Sequence, residues 1–381
     1  MERPHHGITR RQFTGLSIAL LGHPLYAKEG PAAASGAIRT ISPQDHYYHG
    51  WSTVGRLQNG DLIVVWSGRR EAHVCPFGTV EMMRSRDGGA TWTFPRTIVD
   101  GTIDDRDAGL LETASGSLIV TSFTSLAYAE RYIDKGEKLG DPAWMATHHR
   151  LPDDAARQAE QGVWAYRSTN GGLTFSSRID TIVNSPHGPC QLADGRLLYL
   201  GKKLWAEEKR VGAVESRDDG QTWQWLSEIP TREGDDFANY HELHAVPCES
   251  GKIVAQIRNH NENGKGETLQ CESEDGGLSW STPRSIGVWG LPSHLLRLKD
   301  GRLLMSYGYR RKPFGNQVRF SDDEGATWSE PIVLSDDGFN VDLGYPSTVE
   351  LDDGSFLTVW YERFEESPMA QLRQKVWRLE A

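Results

Sequence analysis

Ser85-Arg86-Asp87-Gly88-Gly89-Ala90-Thr91-Trp92 decides the fold, because it returns. It recurs as Ser216-Arg217-Asp218-Asp219-Gly220-Gln221-Thr222-Trp223 and again at residues 273–280 and 321–328. Ser168-Thr169-Asn170-Gly171-Gly172-Leu173-Thr174-Phe175 is a degenerate copy. The shared pattern, S-x-D-x-G-x-T/S-W, puts Asp and Gly where a tight hairpin turn needs them. Glycine takes positive φ without steric cost, and Asp bonds local backbone amides. The closing aromatic then packs under the turn. Between the copies runs a second repeat: apolar strand, Gly turn, apolar strand. Its turn glycines are Gly60, Gly116, Gly195, Gly251, Gly301 and Gly354, spaced 56, 79, 56, 50 and 53 residues apart. Repeats of this period signal stacked or radial units. Six inner hairpins, each followed by an outer pair turned at the Asp motif, predict an all-β chain: a six-bladed β-propeller of four-stranded antiparallel blades. The last hairpin lacks the motif, so its outer strand is expected from residues 371–379 or from residues 38–41.

The Asp motif resembles the Asp-box, or BNR repeat, of the sialidase (neuraminidase) superfamily, and as architecture the resemblance covers nearly the whole chain. It implies that the boxes are structural and that function sits at the opposite, funnel face. Nine residues before each turn glycine, that rim is formed by Trp51, Asp107, Pro186, Glu242, Pro292 and Tyr345. The 79-residue spacing predicts an insertion at residues 125–161 on the same rim, carrying Tyr128, Arg131, Tyr132, Trp144, His148, His149 and Arg150, with a helix near residues 153–161. It reads equally as a lid and as an inert surface excursion.

Three stretches resemble the superfamily's active site. Gly344-Tyr345-Pro346-Ser347, followed by an apolar strand and Trp360-Tyr361-Glu362, is similar to the strand of the catalytic tyrosine. His241-Glu242-Leu243-His244 with Arg258 sixteen residues on resembles its Glu and Arg pair, and Arg310-Arg311 its C-terminal carboxylate-binding Arg. The resemblance implies retaining hydrolysis. A tyrosine is a weak nucleophile at its ordinary pKa near 10, and an adjacent glutamate makes it competent by taking its proton. A neutral nucleophile suits an anomeric carbon that already bears a carboxylate, which would repel Asp or Glu. Arg258 with Arg310 or Arg311 would hold that carboxylate by forked hydrogen bonds.

The first two blades depart from the superfamily. Where its first clamp arginine belongs, the chain reads His49-Gly50-Trp51-Ser52-Thr53, leaving Arg69 or Arg70 as substitutes. Where its catalytic Asp belongs, residues 69–78 hold no Asp. The general acid is therefore sought at Asp107, with His73 next and Glu71 as a further alternative. Asp104-Asp105-Arg106-Asp107 also reads as a solvated loop. A carboxylate beside Arg106 has a lowered pKa, so the one farther from it makes the better acid. Further rim groups that would bind substrate are Asp105, Arg106, His49, Trp51, His187, His244, His294 and Asp342. The three histidines fall on blades three to five, where hydrogen bonding to sugar hydroxyls is a simpler role than metal binding.

Composition limits the alternatives. The chain has 381 residues, 40 of them Gly and 13 Trp, and a formal net charge of −11, which argues against nucleic acid or an anionic membrane as partner. Cys75, Cys190, Cys248 and Cys271 include no C-x-x-C pair, so no zinc pattern is present and buried free thiols are the simplest reading. Thr9-Arg10-Arg11-Gln12-Phe13-Thr14-Gly15 and the short apolar residues 16–21 resemble a twin-arginine export signal, too short to span a bilayer. Small residues at 27–37 would hold the cleavage site.

The sequence thus predicts residues 1–36 as signal and linker and residues 37–381 as one propeller, periplasmic or secreted, with no membrane anchor and no cofactor. Its activity is expected to be that of an exo-glycosidase of the α-sialidase kind. The substrate would be a glycan or glycoconjugate ending in an acidic sugar, sialic acid first and a uronic acid next. A carbohydrate lyase and a non-catalytic glycan-binding propeller are the rivals.

Overall fold

In the computed structural model, which describes residues 35–379 except 43, 135, 137 and 139, six four-stranded antiparallel sheets follow one another along the chain. The first blade is Tyr48–Arg56, Leu62–Arg70, Thr79–Ser85 and Arg96–Val99, and the second is Asp104–Glu112, Leu118–Ser125, Val163–Ser168 and Ile179–Asp180. Blade three begins at Cys190–Gln191, blade four at Tyr240–Pro247, blade five at Ser293–Arg297 and blade six at Leu343–Glu350. The molecule is a six-bladed β-propeller. Both segments expected for the last blade take part: Ala370–Trp377 is its third strand, and Ile38–Thr40 pairs outside it, Ile38 opposite Lys375. One blade is therefore built from both ends of the described chain, which closes the ring. The twin-arginine motif and the expected cleavage region up to residue 34 lie outside the described residues. No helix among the described residues is long and apolar enough to cross a membrane.

The second strand of each blade is buried on both faces, as its continuous apolar reading requires. Of the seven buried apolar clusters among the described residues, six lie one at each blade-to-blade interface. The first two blades, for example, share Ile63, Val65, Val80 and Met82 with Leu110, Leu118 and Val120. All four cysteines are free.

The Asp-boxes join the third and fourth strands. In the third blade Asp218 accepts hydrogen bonds from Ser216 Oγ at 2.8 Å, Thr222 N at 2.9 Å and Thr222 Oγ1 at 2.6 Å. The box aromatic does more than pack under its own turn. Trp92, Trp280 and Trp328 donate to Gln374, Ser227 and Gln270, each on the preceding blade, so the boxes also fasten neighbours together. They sit at the turn-glycine end: Asp219 accepts from Ser115 and Ser117, beside Gly116. The funnel rim is the other end.

Asn170 of the degenerate box keeps the same bonds, accepting from Thr174 N at 3.0 Å and donating to Thr174 Oγ1 at 2.8 Å. Asp218→Ala should therefore cost about 2 kcal/mol of stability through its unmet donors, while Asp218→Asn should recover most of it. Denaturant unfolding midpoints of the two variants against wild type check this.

Candidate active site

The innermost strands of four blades carry the same irregularity. Pairing with the second strand skips between Gly50 and Thr53, Arg106 and Gly109, His241 and His244, and Gly344 and Ser347. The first skipped residue is in each case the rim residue: Trp51, Asp107, Glu242 and Tyr345 have φ of 54°, 45°, 44° and 50°. Such left-handed geometry costs a non-glycine residue roughly 1–3 kcal/mol and persists only where surrounding structure imposes it. A bulge of this kind takes a side chain out of the ladder's alternation and re-aims it.

Glu242 and Tyr345 meet, although they lie on blades four and six. Tyr345 Oη donates to Glu242 Oε1 at 2.5 Å. Arg258 Nη1 donates to Glu242 Oε2 at 2.5 Å and to Tyr345 Oη at 3.2 Å. His260 accepts from Arg258 Nε at 2.7 Å and fixes the guanidinium. Burial pushes the Glu242 carboxyl up, but Arg258 and the hydrogen bonds from Tyr345 and Arg258 outweigh it and hold the group below the usual carboxylate range. Burial and the Glu242 charge push the Tyr345 phenol well above 10. The resting pair is thus a neutral phenol donating to a carboxylate, an arrangement in which an adjacent base can take the proton of a weak nucleophile. Arg310 lies over the Tyr345 ring, its Cζ 5.8 Å from the centroid, held by the Leu343 carbonyl.

Residues 144–358 match the BNR repeat-like domain. The chain belongs to the BNR repeat-like family. This places it in the sialidase-like superfamily of BNR propellers. No curated protein sequence is significantly similar to it. Among solved structures, it resembles a protein of unknown function from Dyadobacter fermentans, at 22% identity and a TM-score of 0.73 over 91% of this chain and 100% of that one. A Hadza microbial sialidase matches at 18% and 0.64 over 90% and 68%. The intramolecular trans-sialidase from Ruminococcus gnavus matches at 14% and 0.63 over 89% and 97%. At these identities the likeness establishes the fold.

Around the pair, this BNR propeller sorts the remaining rim residues. Asp107 faces it: its charge bears on Tyr345, and those of Glu242 and Arg258 bear on it. Burial pushes the Asp107 carboxyl up to about 7 against the pull of Arg106, and its Oδ1 is buried without a hydrogen-bond partner. The guanidinium of Arg106 lies 4.6 Å from the Trp51 ring centroid and has no carboxylate within ion-pair distance among the described residues. His73 and Asp342 sit beside them. Asp342 Oδ1 accepts from Tyr48 at 2.8 Å and Tyr361 at 3.1 Å and lies 3.1 Å from His73 Nδ1. Asp342 Oδ1 is thus directed at the protein, while the residue also lines a cavity beside the tyrosine. Burial lowers the His73 pKa despite Asp342, so the imidazole is neutral and a poorer acid than Asp107.

Several expected site residues are placed elsewhere. Arg70 is fully buried and forked onto Asp104 at 2.6 and 2.7 Å, so it braces two blades instead of facing the funnel. Arg69 pairs with Glu81, and Arg311 stacks on Trp289. Asp105 accepts from Gly101 N at 2.6 Å inside its own blade, and His49 is buried between Gln44 and Trp66. Glu71 accepts from Trp144 and belongs to the insertion's anchor. His187, His244 and His294 pack together below Tyr345, with ring centroids 4.7–5.5 Å apart. Burial lowers all three pKa values, leaving neutral rings. His244 Nδ1 accepts from Leu295 N at 2.9 Å and His187 Nδ1 lies 3.2 Å from Thr53 Oγ1, so the group forms a floor beneath Tyr345, with His187 Nε2 buried and unpartnered. Among the described residues no cluster of His, Cys, Asp and Glu is arranged to hold a metal ion.

Tyr48, Tyr361 and His260 went unassigned in the sequence, though each stands within three residues of an assigned one or of a quoted motif.

Burial raises both Asp105 and Asp107 to about 7 from an ordinary 3.8. Folding therefore favours their protonated forms, and the stability this provides is complete below about pH 4 and lost as pH rises toward 7. Asp107→Asn should be stabilised relative to wild type by about 4 kcal/mol more at pH 8 than at pH 4, since one pKa unit is 1.36 kcal/mol. Denaturant unfolding of both proteins at the two pH values measures the difference.

Proposed function

We propose that the protein is a retaining exo-glycosidase for a terminal acidic sugar, sialic acid foremost. The observation that carries this reading is the 2.5 Å hydrogen bond from Tyr345 Oη to Glu242 Oε1, with Arg258 on both groups. Arg258, Arg310 and Arg106 hold the sugar carboxylate; the third cation thus comes from blade two, in place of the arginine missing from blade one. Tyr345 Oη attacks the anomeric carbon while its proton passes to Glu242. Asp107 gives its proton to the departing glycosidic oxygen, and a glycosyl–tyrosine bond forms. In the second half Asp107, now ionised, takes a proton from water as that water displaces the tyrosine, and Glu242 returns the first proton to Tyr345 Oη. Two carboxyls in unlike environments thus divide the work: Glu242 is held ionised beside an arginine, and Asp107 is held protonated by burial. The sialidases and trans-sialidase of similar fold support the substrate class.

Release of 4-methylumbelliferone from its α-sialoside tests the reading. Tyr345→Phe and Glu242→Gln should each lower kcat/KM about 10³-fold, within the range for losing a positioned nucleophile or base. In wild type kcat/KM should fall above about pH 7, where Asp107 ionises, and Asp107→Asn should remove that limb with most of the activity. A folded wild type inert on the sialoside and on the uronide overturns the reading. An ultraviolet-absorbing unsaturated product would then mark a lyase, and glycan binding that survives Tyr345→Phe a binding propeller.

A further inference from the structure

Beside the tyrosine opens a cavity of about 670 Å³ whose lining includes His73, Asp342, Arg310, Arg131, Lys138 and Arg363. Tyr361 also lines it, with its ring centroid 5.8 Å from that of Tyr345, so cavity and nucleophile adjoin. The charges there are unevenly matched. Its two acids are already engaged: Asp342 takes three protein partners, and Glu71 accepts from Trp144 Nε1 at 2.7 Å. Its arginines lack acid partners. Among the described residues, Arg131, Arg310 and Arg363 have no carboxylate within ion-pair distance, in a chain of net charge −11 where most arginines do. Arg363 Nε is buried with no hydrogen-bond partner at all. Arg131 lies on the Tyr132 ring, and Lys138 is 5.2 Å from the Trp144 ring centroid and 3.7 Å from Asp141.

Arg310, over Tyr345, belongs to the carboxylate of the sugar being cleaved. Arg131, Lys138 and Arg363 line the wall of the same cavity and make no contact with Arg258, the residue that bonds Glu242 and Tyr345. Among the described residues Arg131 and Arg363 have no acid partner, and Lys138 is only partly offset by Asp141. Cations gathered against aromatic rings raise the local concentration of anions and bind them by charge-assisted hydrogen bonds. Two of the three come from the insertion, which only the second blade has.

We propose that this wall binds a second anionic group, a carboxylate or a sulfate, carried by the sugar next to the one cleaved. The inference rests on the glycosidase reading and narrows it: the substrate is an acidic oligosaccharide with negative charge on two adjacent residues, rather than one acidic sugar on a neutral core. The wall then chooses the leaving group, and the arginines at Tyr345 choose the sugar.

The test compares kcat/KM for 3′-sialyllactose, for disialyllactose with its second carboxylate, and for a sialyllactose sulfated on the adjoining galactose. One charge-assisted contact of about 1.4 kcal/mol corresponds to tenfold. Wild type should therefore prefer one dianionic substrate about tenfold or more, the favoured one naming the group, and the preference should shrink as salt is raised. Arg131→Ala combined with Lys138→Ala should bring the ratio toward one, and Arg131→Lys should restore part of it. Equal turnover of all three by wild type, or a preference untouched in the double variant, overturns the proposal. If no substrate is turned over, the glycosidase reading fails separately. Calorimetric binding of disialyllactose then decides, with loss in the double variant supporting the wall and unchanged affinity overturning it.

Discussion

A β-strand aims successive side chains to opposite faces, and in a propeller neither face looks straight down the axis. Every group that acts at the centre must first leave that alternation. Here the innermost strand breaks its ladder at the same height in four blades and puts one residue into left-handed geometry each time. Without the breaks at Glu242 and Tyr345, two residues separated by a whole blade would face different interblade cores. With them, Tyr345 donates a hydrogen bond to Glu242 across 2.5 Å. The strain is sustained because the adjoining second strands are buried and the interblade clusters cannot relax around one displaced residue.

Electrostatics then divides labour among groups of the same kind. Glu242 is half-buried and Asp107 buried on equivalent bulges, yet Glu242 lies under Arg258 and accepts a phenol, while Asp107 has an oxygen with no partner. The first stays ionised and the second is held near neutrality. Arginines divide in the same way. Arg70 is neutralised by Asp104 and serves as a brace, whereas Arg106, Arg310, Arg131 and Arg363 keep their charge unpaired around the funnel. A protein with an excess of acids gathers anions by pairing those acids elsewhere.

Much of this was legible in the sequence, for a physical reason: turns and boxes are local devices, and their glycines and aspartates are dictated within eight residues. Blade number, box positions and rim residues follow from counting. The division of roles within the Asp104–Asp107 run was not legible. Asp105 and Asp107 should share a face by alternation, but the bulge at Asp107 breaks the parity, so one caps Gly101 and the other turns to the axis. Arg69 and Arg70 fail alike, since each finds a carboxylate that local sequence does not announce, Arg69 on Glu81 of its own blade and Arg70 on Asp104 of the next. The Tyr48–His73–Tyr361–Asp342 group joins positions about 300 residues apart through ring closure, and no local pattern announces that.

The insertion is best understood as a fixed wall. Its helical turns Ala129–Asp134 and Pro142–His148 bury Ile133 and Trp144 against Val74 and Cys75 of the first blade's rim loop, and Trp144 is tied to Glu71. A segment with its own buried cluster does not open cheaply, so Arg131 and Lys138 are held before any ligand arrives. That matters for selectivity, because a preorganised group loses little conformational entropy on binding and its preference appears almost undiminished in affinity. An excursion of one blade is also where such a group can be added without disturbing the repeating cores. On the proposed reading, the propeller would fix where the scissile bond lies, and the one irregular blade would set what is attached to it.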